Sequence, residues 1–277
     1  MILRIFFLLY FISMCYSQQS NIGDDQMRQR IQNIKRACVR IFVNDKPVGS
    51  GFVVQSRGLI ATCFHVVQSI QPTANNQTSI TYAQNIEVEL HSGNKLPATI
   101  HSSCLSSGVA QALSKDYCLL QINTQNLSTV LLGTFADIQE GDRIYLCGYP
   151  LGIDQPVIAN GFLSTKWSAQ GYLGQGSTRA VAWLDITMNG GNSGGPIVLL
   201  SDDPANDKII GIATFGLNPF AKPAKELIEV AQSSPFRMLI SGVNFKEFAT
   251  LVGSALASNS LGVNGCVSID YLNTIIP

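Results

Sequence analysis

Between Val39 and Phe215 the chain repeats one device, a short run with apolar side chains at alternate positions, closed by Gly, Asn, Asp or Pro. Val39-Arg40-Ile41-Phe42-Val43, a turn at Asn44-Asp45-Lys46-Pro47 and Ser50-Gly51-Phe52-Val53-Val54 read as a hairpin, followed by a strand at Leu59 to Thr62. Similar runs occupy Ile86 to Leu90, Ala98 to His101, Tyr117 to Ile122 and Arg143 to Cys147. A second cluster covers Val157 to Lys166, Ala180 to Ile186, Pro196 to Leu200 and Ile209 to Phe215. Short strands at this spacing place the chain in the all-β class, as sandwich or barrel, and the looser stretch Leu127 to Gly141 suits a crossing between two such units.

Helical periodicity occurs only at the margins. Met27, Ile31 and Ile34 are spaced for a short amphipathic helix ahead of the first strand. Between about Leu217 and Leu261, Pro223 to Val230 and Phe245 to Ala257 read as helices, after which a strand at Val263 to Ser268 and a terminal helix from Ile269 are expected.

The first 17 residues have the pattern of a signal peptide. Arg4 precedes an apolar run from Ile5 to about Cys15 that is too short to span a bilayer, and Cys15 and Ser17 offer a cleavage site before Gln18. The expected location is therefore extracellular or the lumen of the secretory pathway, with no membrane association once the signal is removed. Charged residues make up 13% of the chain and the formal net charge is zero, so no electrostatic footprint for nucleic acid is present. Six cysteines follow the signal (Cys38, Cys63, Cys104, Cys118, Cys147, Cys266), and six allow 15 connectivities, so the pairing stays open. Cys63, Cys118, Cys147 and Cys266 lie in apolar runs that suit buried thiols. Asn76-Gln77-Thr78 and Asn126-Leu127-Ser128 are glycosylation sequons.

The segment Gly191-Asn192-Ser193-Gly194-Gly195-Pro196 puts a hydroxyl in a turn that can bend tightly and point N–H groups at an anion. A serine is a poor nucleophile without a base and a carboxylate to orient that base. Of the three histidines, His65 follows an apolar strand at a strand-to-loop corner, where packing can hold its ring beside a cleft, whereas His91 and His101 lie near surface turns. Asp116 stands at the entrance of the apolar strand Tyr117 to Ile122, a costly place for an acid unless something donates to it. Taken singly, His65 can equally be a hydrogen-bonded core residue, Asp116 a turn aspartate and the glycines an ordinary turn.

Seven pieces in order change that reading: Gly49 to Val54, Gly58 to Val67, Asp116 to Ile122, Gly141-Asp142, Gly148 to Gly152, Gly161 to Ser164, and Leu184 to Pro196. Over roughly residues 38 to 215 the chain resembles a chymotrypsin-fold serine protease, specifically the HtrA/Deg-type protease domain. The resemblance implies two six-stranded β-barrels with the active site between them, short N- and C-terminal helices and a partly helical insertion at about 217–261. It divides the chain into a signal at 1–17, an N-terminal helical segment at 18–37 and a protease domain at 38–277, with barrels at about 38–126 and 140–277. The roles implied are Ser193 as nucleophile, His65 as general base and Asp116 as the group orienting it, with the N–H groups of Gly191 and Ser193 as oxyanion hole.

Thr187 stands where trypsin-like enzymes carry a pocket aspartate, which argues for small or uncharged side chains at P1. Together with Thr214 and Phe215 it is expected to contact substrate. The expected partner is a polypeptide, with no cofactor and no metal. The sequence ends after the final helix, so the PDZ domain common among HtrA proteins is not expected, and the insertion either gates the cleft or decorates its rim. A catalytically silent peptide-binding protein and an esterase with the same triad are the competing functions.

Overall fold

A computed structural model of the chain describes residues 23–72, 78–105, 112, 114–170, 178–216, 221–233, 239–240, 243–258 and 263–276. The signal segment and the Asn76 sequon lie outside the described residues.

A helix over residues 23–37 leads in, with Ile34 buried and Met27 packed against the core, and the chain passes straight into β1 (Cys38–Val43). Asn44 and Asp45 have φ values of 49° and 63°, the left-handed pair that a two-residue hairpin requires, so β2 (Lys46–Gln55) takes in the last two residues of the turn expected from the sequence. There follow β3 (Leu59–Thr62), a single helical turn Phe64–Val67, the hairpin β4 (Gln68–Pro72) and β5 (Thr78–Tyr82), then β6 (Ile86–Glu89), β7 (Lys95–Ile100) and β8 (Cys118–Ile122). Six of these strands close a barrel in the order β1-β2-β3-β8-β7-β6. Its core is dense with Phe52, Ile60, Phe64, Leu119 and Leu120, none with measurable exposure, each contributing about 1.5–3 kcal/mol of burial. Every residue of β3 is buried, which is why Leu59 to Thr62 reads as a continuous run instead of alternating.

The second unit begins with the short β9 (Leu131–Leu132), which pairs in parallel with β14, and continues through β10 (Arg143–Gly148), β11 (Val157–Gln170), β12 (Thr178–Asp185), β13 (Pro196–Leu199) and β14 (Lys208–Gly216). After β15 (Leu239–Ile240) and β16 (Val243–Asn244) in the helical stretch, β17 (Val263–Ser268) returns to the sheet between β12 and β14. The order β13-β10-β11-β12-β17-β14, with β14 pairing back on β13, closes a second six-stranded antiparallel barrel. The sequence expectation of two such barrels therefore holds. The hairpin β4–β5 and the parallel β9 were not anticipated. Between β14 and β17 the helices Ala221–Ser233 and Phe245–Ser258 pack on each other through the buried Ala224, Ala231 and Ala249. Among the described residues no helix is long and apolar enough to cross a membrane.

Candidate active site

The end of β3 and the start of β8 bring His65 and Asp116 together. Phe64, Val66 and Val67 are buried and hold the helical turn against the barrel, while the His65 side chain between them keeps 32% exposure, leaving one edge of the ring open. Asp116 has a φ of 56°, a conformation that aspartate tolerates better than most residues, and its side chain is 1% exposed. A carboxylate so deep must be surrounded by donors. His65 Nδ1 lies 2.9 Å from Oδ2 and 3.1 Å from Oδ1, the backbone N–H of His65 donates to Oδ1 at 3.1 Å, and the hydroxyl of Thr214 donates to Oδ2. The acid thus fixes the imidazole and also satisfies an N–H at the open end of the helical turn. Burial pulls the His65 imidazole pKa down, but the hydrogen bond and charge of Asp116 outweigh it, and the net result lies above the ordinary 6.5.

The loop carrying Ser193 is held at nearly every peptide. Leu151 N–H donates to the carbonyl of Gly190 at 2.7 Å, Ser50 Oγ donates to the carbonyl of Gly191 at 2.6 Å, and Gly195 N–H donates to the carbonyl of Asn192 at 2.9 Å. In a trans peptide the N–H points opposite its carbonyl. Anchoring the Gly190 and Asn192 carbonyls therefore turns the N–H groups of Gly191 and Ser193 the other way, and among the described residues neither has a protein acceptor. Gly191 needs its glycine: φ is +99°, and a Cβ would lie 2.3 Å from the Tyr149 carbonyl. At Gly194, φ +89°, a Cβ would lie 2.1 Å from the Ser50 carbonyl and 3.1 Å from Cys63 N, so the loop sits directly on the end of β3. Ser50 N–H closes the junction by donating to the carbonyl of Ser193 at 2.8 Å. Among the described residues no hydrogen bond joins Ser193 Oγ to His65 Nε2, and such contacts commonly tighten only around substrate.

The other candidates fall as follows. Thr187 is exposed just past β12. Thr214 is buried with its hydroxyl on Asp116 instead of facing open space. Phe215 lies in β14 opposite Gly265, and its side chain is outside the described set. His101 Nδ1 meets Ser103 Oγ at 2.8 Å and caps a short turn, away from this constellation. Ligand-type atoms of Cys63, His65 and Asp116 lie within 4.8 Å of one another. The carboxylate oxygens are occupied as described, and Cys63 Sγ donates to the Ala213 carbonyl at 3.2 Å. Burial first, and then the charge of Asp116, push the Cys63 thiol well up, so it stays neutral. The cluster reads as an acid–imidazole pair beside a thiol, with no donor set left over for a metal.

Two contributors escaped the sequence reading. Ser50 reaches both sides of the junction, since its Oγ also accepts from Tyr149 N–H at 2.8 Å. Leu151, in a turn at φ 55°, is clamped by Arg40, which donates to the carbonyl of Gly152 at 2.9 Å and to Asp154 Oδ1 at 2.8 Å. Only the Gly-Ser-Gly start of the Gly49 to Val54 piece hinted at Ser50, and nothing local marked Arg40.

The chain is 31% identical over 168 residues to serine protease HTRA3 of Rattus norvegicus, covering 60% of this chain and 32% of that protein. It is 31% identical over 196 residues to serine protease HTRA4 of Mus musculus, covering 69% and 35% respectively. The chain thus spans about a third of the length of the relatives it matches. Among solved structures the HtrA-type protease AlgW with tripeptide superposes with a TM-score of 0.57 at 20% identity, over 89% of this chain and 60% of that one, a likeness of fold. The family model for the trypsin-like peptidase domain matches residues 49–212, more than half of the chain and inclusive of His65, Asp116 and Ser193, and the chain belongs to that family.

Proposed function

We propose that the chain is a secreted serine endopeptidase that cleaves polypeptides through an acyl-enzyme on Ser193. The observation that carries this reading is the pairing of a buried, triply hydrogen-bonded Asp116 with His65 on one barrel, against a Ser193 loop whose two oxyanion-side N–H groups are unengaged on the other. His65 Nε2 takes the Ser193 proton as Oγ attacks the scissile carbonyl, while Nδ1–H remains on Asp116 and the imidazolium is stabilised there. The carbonyl oxygen, now negative, lies against the N–H groups of Gly191 and Ser193. His65 then protonates the leaving amine, and water admitted to the same position releases the acyl group by the reverse sequence.

Polypeptide substrates are supported by the serine protease relatives and by open space beside the base. A groove of about 400 Å³ borders His65 and is lined also by Asn44, Val48, Tyr82 and Gln84. The neutral Thr187 supports small or uncharged P1 side chains, since it offers a cationic side chain no opposite charge. Secretion rests on the signal-like residues 1–17.

A fluorophosphonate should label the folded chain at Ser193, and Ser193→Ala should lose both the label and peptide hydrolysis. Full hydrolysis by Ser193→Ala would refute the proposal. Cleavage-site profiling in a peptide library is expected to show uncharged P1 residues, and enrichment of Lys or Arg would refute that part.

A further inference from the structure

Away from the cleft, Cys104 and Cys118 meet under the segment that delivers Asp116. Cys104 ends the short turn Ser102–Cys104, and its Sγ accepts from the backbone N–H of Leu119 at 3.2 Å, the residue directly after Cys118. The turn is fixed in that place by His101 N–H, which donates to the carbonyl of Leu119 at 2.8 Å. Cys118, the first residue of β8, turns its Sγ toward the same residue and donates to the carbonyl of Leu119 at 3.7 Å, so both sulfurs lie against the backbone of Leu119. Both are fully buried. Each is a free thiol in this structure.

We propose that Cys104 and Cys118 form a disulfide that ties the turn Ser102–Cys104 to the start of β8, two residues past Asp116. The pair is unequal in a way that suits its formation. The hydrogen bond from Cys118 draws the Cys104 thiol down to about 7 against the effect of burial, aided by the Leu119 N–H, whereas Cys118 is pushed well up by Cys104 and by burial. Cys38, Cys63 and Cys266 are also pushed up, burial first. Either thiol can open the exchange as its thiolate. Where Cys104 does so, it attacks one sulfur of a small-molecule or protein disulfide, whose S–S bond breaks and whose other sulfur leaves as thiolate with the electron pair. Cys118 then loses its proton and attacks Cys104 Sγ in the mixed disulfide, expelling the second sulfur. Two protein thiols are oxidised and one disulfide is reduced to two thiols. Exchange occurs while the turn is still closing over the barrel, and the finished bond, without solvent exposure, is shielded from reductant. The bridge rests on the secretory routing proposed from residues 1–17 and is independent of the protease reading.

The test is made on the full chain produced in an oxidising compartment, blocked with a maleimide in acidic denaturant and digested without reductant. A peptide pair linking Cys104 to Cys118, which reductant splits into two thiol peptides, is the expected result. Recovery of both as maleimide adducts, or of either joined to another cysteine, overturns the proposal. In thermal melts the oxidised chain should unfold at least about 5 °C above the reductant-treated chain. That difference should vanish in C104S/C118S, and its undiminished persistence there counts against the bridge. Neither measurement uses catalysis, so an inactive Ser193 leaves the outcome readable.

Discussion

Asp116 keeps its carboxylate in a place with 1% exposure because its three donors reach it from two elements: the ring and backbone N–H of His65 after β3, and the hydroxyl of Thr214 near the end of β14. Thr214→Val preserves shape and removes one donor to this acid. It should lower kcat/KM about tenfold, equivalent to about 1.4 kcal/mol, with steady-state peptide hydrolysis as the measurement. Since Asp116 raises the pKa of His65 above 6.5 and the base must be neutral, the acid limb of the kcat/KM profile should have its midpoint above 6.5. A midpoint at or below that value would mean that Asp116 does not govern the ring. Stability follows the opposite course: the folded chain holds the His65 proton more tightly than the unfolded chain, so the pair's contribution is complete below the unfolded value and fades as pH rises through the higher folded one. The pH range that strengthens this contact is the one in which the base is idle. Asp116 could be picked out in the sequence because an acid heading an apolar strand demands donors. The hydroxyl of Thr214 could not be placed on it, because the contact spans 98 positions and depends on two barrels meeting.

At the scale of elements, β2 contributes Ser50 to the oxyanion loop as a bridge between the Gly191 carbonyl and Tyr149 N–H. Ser50→Ala leaves both buried groups unpaired. It should cost about 1–3 kcal/mol of stability in a denaturant titration, and should lower kcat about 10²-fold with less effect on KM, because the donors it supports act chiefly on the transition state. The helical pair after β14 makes the opposite expectation, for its two helices pack on each other with their alanines buried. Ala231→Asp should speed hydrogen exchange across Ala221–Ser233 and Phe245–Ser258 while fluorophosphonate labelling stays within about twofold of wild type. Loss of labelling would assign the pair a gating role. Elements with clear periodicity were legible: alternation marked β1, β2 and β6, and Ile31 and Ile34 marked the leading helix. The turn Phe64–Val67 was legible only as a strand-to-loop corner, since four residues are too few to display a helical period. The hairpin strand β4, Gln68-Ser69-Ile70-Gln71-Pro72, has a single aliphatic side chain and no pattern to read.

For the whole molecule, the sequence contained the two-barrel arrangement because turns and strands recur in two clusters, but not the contacts that dock one barrel on the other. Those contacts are reciprocal. Barrel one gives Ser50 N–H and Oγ to the Ser193 loop and Arg40 to the turn that orients Gly190, and barrel two returns Thr214 to Asp116. This interlock has a consequence for biosynthesis. The ribosome releases His65 and Asp116 well before Ser193, and the strand carrying Thr214 later still, with β17 as the last stave of the second barrel. On the proposed roles, a nascent chain therefore owns a base without a nucleophile, then a nucleophile without its scaffold. Under the proposed function, the chemistry waits for closure of the last stave, and the cell that makes this protein meets it only when the fold is finished.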